Sequence, residues 1–192
     1  MKKKILVIAL SLNLLFGCVP ALIVGAAIGG IVVYEGRNAT VKKKDFELTR
    51  QIQQTINKQT SLHNHSRIVV SAYDGVVLLA GQAPSEALKN QAYQIARGVP
   101  GVKRLYNEIT ITGPISSLTQ SSDAWLTTKV KSVLLARKGL DSSQIKVVTE
   151  NGVVFLMGKV TKEQAKIAAD ATRTISGVQK VVTLFEFLRP AE

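Results

Sequence analysis

An internal repeat constrains this 192-residue chain more than any other feature of its sequence. The stretch "RIVVSAYDGVVLLAGQAPSE" (67–86) matches "IKVVTENGVVFLMGKVTKE" (145–163), and Asp74-Gly75 aligns with Asn151-Gly152 at an offset of 77 residues. A helical stretch follows each segment, and "GVPGVKRLYNEITI" then matches "TISGVQKVVTLFEF". Two helix-containing copies of this size are typical of two separate small domains and not of a solenoid.

Both copies predict the same order of elements: helix, strand, strand, helix, strand. Each opening helix begins at an aspartate that can cap it, Asp45 or Asp123. Asp-Gly and Asn-Gly are strong signals of a two-residue hairpin turn between the first two strands. The helices are predicted at 45–60, 85–97, 123–138 and 162–174, and the apolar second strands at 76–80 and 153–157. The predicted fold class is α+β: two tandem domains, each with two helices packed on a small three-stranded mixed sheet.

The opening segment "MKKKILVIALSLNLLFGC" has the pattern of a secretory signal: lysines, a short apolar run and a small residue before a cysteine. Its last four letters resemble the lipobox of bacterial lipoproteins, so Cys18 is the predicted lipidation site and palmitate is an expected acyl chain. Because Val19 and not aspartate follows the cysteine, the resemblance favours the Gram-negative outer membrane, facing the periplasm. The alternative is a signal anchor over 5–33, which leaves the Gly-Cys pair unexplained.

The predicted organisation follows from the leader and the repeat. The segments are a signal peptide (1–17), a lipidated N-terminus and tether (18–44), a first domain (45–113), a linker (114–120) and a second domain (121–192). The net charge of +12 suggests an anionic partner, either a membrane surface or nucleic acid. The excess is spread along the chain, and the leader points to the envelope, so we expect no nucleic-acid binding.

Nothing in the sequence predicts catalysis. It has no nucleophile elbow, phosphate-binding glycine loop or cluster with metal-ligand spacing. His63 and His65 lie in a polar stretch without a cysteine or carboxylate nearby, so they are interpreted as solvated residues and not as ligands. We therefore expect a protein that is not an enzyme and that needs no cofactor or metal.

Motifs in both copies resemble BON domains. They are "DGVVLLAGQ" and "VPGV" in the first copy, and "VTENGVVFLMGKVTKEQA" and "ISGV" in the second. With its lipobox, the whole chain is similar to dual BON-domain outer-membrane lipoproteins. This resemblance implies anionic phospholipid binding, support of outer-membrane integrity, enrichment at division sites and a connection to the outer-membrane protein assembly machinery. It also implies that the phospholipid site lies on the first helix of the second domain.

The opening helix of the second copy has more apolar residues than one core-facing stripe needs. Aligning Asp45 with Asp123 pairs the core positions of the two copies, and these positions leave Trp125 and Leu135 on the outer face. The first copy has polar residues at the same places. The predicted phospholipid-binding residues are Trp125, Thr128, Lys129, Val130, Lys131, Ser132 and Leu135, with Val130 interpreted as a support from below.

Trp125 and its neighbours suit a membrane interface, because the indole ring is amphipathic and lysine reaches anionic headgroups. Two other interpretations stay open at this point. Trp125 could pack under the other copy, since tryptophan is usually well buried. The face could also bind a second envelope protein, which would make the chain a scaffold or assembly factor.

Overall fold

The computed structural model describes residues 38–188. The first domain runs α1 (Ala39–Asn57), α2 (Thr60–His65), β1 (Arg67–Tyr73), β2 (Val76–Ala83), α3 (Glu86–Arg97) and β3 (Arg104–Ile111). The second runs α4 (Ser117–Leu135), a 3₁₀ turn (Ser142–Gln144), β4 (Ile145–Glu150), β5 (Val153–Val160), α5 (Lys162–Arg173) and β6 (Lys180–Phe187). The predicted element order is confirmed in both copies, with one added short helix, α2.

Each domain has one three-stranded mixed sheet, as predicted. The first two strands pair antiparallel and the second pairs parallel with the third, so the central strand is β2 or β5. The hairpins turn through two residues with positive φ, Asp74 (48°) with Gly75 (77°) and Asn151 (49°) with Gly152 (72°). Positive φ at both central positions is the geometry that Asn-Gly and Asp-Gly favour, and it matches the twist of the strands.

The opening helices begin earlier than predicted, and the capping role expected of Asp45 and Asp123 is wrong. Asn38 caps α1 and Ser116 caps α4, so each helix extends six residues before its aspartate. Both aspartates are buried, and each accepts two hydrogen bonds from the hairpin turn of its own domain. Asp45 accepts from the backbone N–H groups of the 74–75 turn at 2.8 and 3.1 Å, and Asp123 from those of the 151–152 turn at 2.7 and 2.9 Å.

Two cores lie between helices and sheet, one in each domain. Leu48, Ile52 and Ile56 of α1 pack on alternate residues of β1 and β2, such as Val77 and Leu79. In the second domain α4 contributes the aligned positions, and β5 supplies the same alternation. The α4 residues are Leu126, Val130 and Leu134, and the strand residues include Val154 and Leu156. Residues that align in the sequence repeat therefore occupy equivalent positions in the two cores.

A third core joins the two domains through the faces of the sheets that the helices leave open. Tyr73, Val76 and Leu78 of the first sheet pack with Phe155 and Met157 of the second. The central strands are therefore buried on both faces, which explains their continuous apolar runs. Each domain keeps its helices on the outer side, so the molecule has four layers: helices, sheet, sheet, helices.

Hydrogen bonds between the two domains lie at the edge of this interface. The buried carboxylate of Glu150 accepts hydrogen bonds from the Arg67 guanidinium and from Gln82 Nε2, the latter at 2.9 Å. The Tyr73 hydroxyl donates to the Gln144 carbonyl at 2.7 Å, and Lys146 Nζ donates to the carbonyl of Ala72 at 3.0 Å. Partners from both domains satisfy these groups, so the two sheets hold one relative position.

The predicted signal peptide, Cys18 and nearly all of the predicted tether lie outside the described residues. The last residues of the tether, from 39 onward, belong to α1, and the end of the predicted linker, from 117, belongs to α4. In the described part of the chain no helix combines the length and the apolar character that crossing a bilayer requires.

Candidate functional site

The outer face of α4 is open to solvent. Trp125 is 60% exposed and Leu135 is 61% exposed, although both are large apolar residues. The inner side of α4 is buried in the core of the second domain, and the core that the two sheets share does not include Trp125. The interpretation that Trp125 packs under the other copy is therefore wrong, because the two domains meet through their sheets and not through this helix.

Leu118 extends this apolar face and was missed by sequence reasoning. It is 82% exposed and precedes Trp125 by seven residues, which places both on one side of the helix. Its segment, "SSLTQSS", looked like a linker because serine and threonine are weak helix formers. The available signal was Ser116, whose hydroxyl accepts from the N–H of Thr119 at 3.2 Å as an N-cap.

Lysines accompany the apolar face. The ammonium group of Lys129 lies 4.8 Å from the centroid of the Trp125 ring, a cation–π contact that holds the two side chains together. Lys131 is half-buried on the other flank. The only acidic residue of α4 is Asp123, and its carboxylate is buried against the hairpin turn. The exposed side of α4 therefore carries positive charge alone.

Thr128 and Ser132 lie between the apolar residues and keep their hydroxyl protons within the helix. The Thr128 hydroxyl donates to the carbonyl of Ala124 at 3.2 Å, and the Ser132 hydroxyl donates to the carbonyl of Thr128 at 3.0 Å. Each oxygen can still accept a hydrogen bond. These small polar side chains separate Trp125 from Leu135 on the outer face of the helix.

Val130 does not share the exposed face. It is fully buried, at 0% exposure, in the core of the second domain. Val130 was predicted to support the face from below, and its buried side chain lies on the inner side of the helix, away from solvent. Its supporting role beneath the face agrees with the structure.

The aligned face of α1 in the first domain is polar and satisfied by its own side chains. Glu47, the counterpart of Trp125, pairs with Arg50 at 2.9 Å. Gln53 Nε2 donates to Asn57 Oδ1 at 3.1 Å, and Asn57 is the counterpart of Leu135. The same helix in the same fold thus presents two different chemistries.

The histidines form no site with other residues. His63 and His65 lie exposed on the short helix α2. Within residues 38–188 no group of three His, Cys, Asp or Glu side chains is placed to hold a metal ion.

The family model of the BON domain matches the chain twice, over residues 44–113 and 122–189. The chain is 38% identical over 186 residues to the outer membrane lipoprotein DolP of Haemophilus influenzae, covering 97% of this chain and 96% of that protein. It is 39% identical over 153 residues to a 21 kDa hemolysin of Actinobacillus pleuropneumoniae, covering 80% and 79% of the two chains. It is also 30% identical over 117 residues to the osmotically-inducible protein Y of Escherichia coli, covering 59% and 58%.

Proposed function

We propose a function for this chain from the premise that it belongs to the BON domain family and is a lipid-anchored lipoprotein of the Gram-negative outer membrane. In this proposal it faces the periplasm, is not an enzyme, and binds anionic phospholipid through the outer face of α4. The observation that carries the proposal is the exposure of Trp125 and Leu135 beside lysines on an otherwise folded helix.

The geometry suits a shallow interfacial contact. Leu118, Trp125 and Leu135 mark out a line along α4 of about 25 Å at 1.5 Å per residue. Tryptophan and leucine on such a face enter the boundary between headgroups and acyl chains, and the indole N–H stays near water. Lysines beside them add about 1 kcal/mol each near an anionic surface. Apolar insertion and charge attraction therefore act together on one helix.

Trp125→Glu tests the proposal, because it installs the residue that the first domain has at this position. Trp125 is the chain's only tryptophan, so its emission reports on α4 alone in the parent protein. With a Cys18→Ser chain that lacks its lipids, we expect a blue shift on adding anionic vesicles and a smaller shift at high salt. Trp125→Glu should abolish co-sedimentation with those vesicles while circular dichroism stays unchanged.

Gln54→Glu is the matched control, since Gln54 is exposed on α1 at the counterpart of Ser132. It adds the same charge to the polar helix and should leave vesicle binding intact. Binding of Trp125→Glu equal to that of the parent chain would sink the proposal.

We further propose that this contact supports outer-membrane integrity, with enrichment at division sites and a connection to outer-membrane protein assembly. This part is supported only by the resemblance to dual BON-domain lipoproteins. The alternative is a scaffold whose α4 face binds a protein partner, because exposed tryptophan and leucine also anchor protein interfaces. A photo-crosslinker at Leu135 in cells separates the two: lipid adducts favour the membrane contact, and one discrete protein adduct favours the scaffold.

A further inference from the structure

The first strand of each domain lies at the edge of its sheet and has backbone groups that point away from the sheet. The residues on either side of each two-residue turn form a hydrogen-bonded pair, and such pairs alternate along an antiparallel ladder. The residues of β1 that point outward are therefore Ile68, Val70 and Ala72. Those of β4 are Ile145, Val147 and Thr149. An open strand edge of this kind can pair with a further strand.

In the first domain, two side chains occupy this edge. The Gln53 amide of α1 accepts from the N–H of Val70 at 3.3 Å and donates to the carbonyl of Ile68 at 3.1 Å. Lys146 Nζ, from the other domain, donates to the carbonyl of Ala72 at 3.0 Å. Side chains of the protein thus supply the kind of hydrogen bonds that the backbone of an added strand would make.

The aligned positions in the second domain cannot supply the same hydrogen bonds. Lys131 stands at the place of Gln53, and an ammonium group cannot accept from a backbone N–H. Val69 stands at the place of Lys146, and an alkyl side chain cannot donate to the carbonyl of Thr149. The two side chains that close the edge of β1 therefore have no equivalents at the edge of β4.

A groove with a cavity volume of about 480 Å³ runs along the edge of β4. Its walls are the β4 segment 147–150, the first turns of α4, and Arg67 with Val69 of β1. Val69 is thus a wall of the groove, whereas its counterpart Lys146 crosses the interface to β1. The groove therefore lies at the place that Lys146 fills on the other side of the interface.

The charged side chains of this lining are engaged within the protein. The carboxylate of Glu150 accepts hydrogen bonds from Arg67 and Gln82. The carboxylate of Asp123 accepts from the backbone of the 151–152 turn. The other lining residues are apolar or neutral, such as Val69, Ala124 and Gln120. Such a lining suits a neutral polypeptide backbone better than a phosphate headgroup, which favours charged donors.

We propose that the edge of β4 is a docking site for an extended peptide segment of a partner protein, which adds a strand to the second sheet. The backbone of this segment pairs with Val147 and Thr149, which both line the groove. Alternate side chains of the segment lie against the apolar walls at Val69 and Ala124. The contact does not use the outer face of α4, so it can fail or succeed independently of phospholipid binding.

Random peptides of about twelve residues, displayed on phage, are the probe. They are selected for binding to the full mature chain with Cys18→Ser, and against a filled variant that also carries Val69→Lys and Lys131→Gln. We expect the recovered peptides to bind the filled variant about tenfold more weakly in fluorescence polarisation, since main-chain hydrogen bonds supply the affinity in this mode. A selection that recovers no peptide with this preference would overturn the proposal.

Amide hydrogen exchange locates the bound peptide without any change to the edge itself. The peptide should slow exchange at Val147 and Thr149 about tenfold, because their N–H groups gain acceptors. The amide of Val70 already donates to Gln53 and should be unaffected. Protection elsewhere in the chain that leaves Val147 and Thr149 unchanged would contradict a site at β4.

Two controls separate other occupants and other surfaces. Trp125→Glu should bind the peptide as tightly as the parent chain, and a loss of binding would move the contact to the outer face of α4 and overturn the proposal. A dimer in sedimentation velocity that the filled variant dissolves would make a second copy of the chain the occupant, and it would likewise overturn the proposal.

Discussion

The first helices of the two domains, α1 and α4, share their inner sides and differ on their outer sides. Both bury three aligned apolar residues, and both hold a hairpin turn with a buried aspartate. On its outer side, α1 has polar side chains that form hydrogen bonds with one another, whereas α4 exposes Leu118, Trp125 and Leu135. The inner residues maintain the fold. The residues that differ on the outer sides therefore indicate where the two copies differ in function. Replacing a residue by its counterpart in the other domain is therefore the sharpest test.

The largest effect is expected at the shared aspartates. Asp123→Ala leaves the backbone N–H groups of Asn151 and of the buried Gly152 without their acceptor, at about 1–3 kcal/mol for a buried group. We expect the free energy of unfolding to fall by about 3 kcal/mol, and Asp45→Ala should cost a similar amount. Urea denaturation followed by circular dichroism measures both. A small loss for either variant would show that the two helices are not held in the same way.

Leu118→Thr should have the second-largest effect. The change gives α4 the residue that α1 has at the aligned position, Thr40. Burying a leucine contributes about 1.5–3 kcal/mol when complete, so a partly inserted Leu118 should account for about tenfold in vesicle affinity. Thr40→Leu is the reverse change on α1. Titration with anionic vesicles, followed by Trp125 emission, should show weaker binding for the first variant. Unchanged affinity would exclude Leu118 from the face.

Lys129→Gln removes a charge and the cation–π contact with Trp125, and it installs the counterpart Gln51. At low salt we expect about fivefold weaker binding to anionic vesicles, from about 1 kcal/mol per membrane-proximal lysine. At high salt the difference should nearly vanish, because screening removes the charge term. A difference that persists at high salt would instead assign the effect to ring orientation.

The smallest effect concerns an ion pair that only the first domain has. A hydrogen bond from Lys103 Nζ to Asp74, at 2.9 Å, raises the pKa of Lys103, whereas Gln179 stands at the aligned place in the second domain. A raised pKa means that the stabilisation is complete below the unfolded value of about 10.4 and is lost as pH rises through the folded value.

The pair is exposed to solvent, so Lys103→Gln should lower the free energy of unfolding by only about 0.5 kcal/mol at pH 8. At pH 11 the variant and the parent chain should be almost equally stable. Denaturation curves at the two pH values measure this, and a larger gap at pH 11 than at pH 8 would contradict the assignment.

The sequence predicts the local structure well, because hairpin turns and core stripes have short-range signals. Asp74-Gly75 and Asn151-Gly152 form the expected turns, and Trp125 and Leu135 are exposed as the repeat comparison indicated. Asp45 misled the prediction because an aspartate near a helix start usually caps it, whereas its true partners lie about thirty residues away. Leu118 was missed for a different reason, since weak helix formers surround it and the N-cap signal of Ser116 was not used.

The contact between the domains could not be predicted from one chain. Its only signal was the apolar run of the second strands, which showed that both faces are buried but not what covers them. Leu78 and Met157 both belong to the core between the sheets, and the sequence around each residue does not indicate which residues pack on it. The buried carboxylate of Glu150 accepts hydrogen bonds from Arg67 and Gln82 of the first sheet. Its burial could therefore not be explained from the second domain alone.

The face-to-face packing of the sheets has a consequence for how this chain can be divided. Cutting it at the linker would uncover Tyr73, Val76 and Leu78 on one half and Phe155 and Met157 on the other. Exposed patches of this kind drive aggregation. We therefore expect either half alone to self-associate through this uncovered face, although the two halves still resemble each other in sequence.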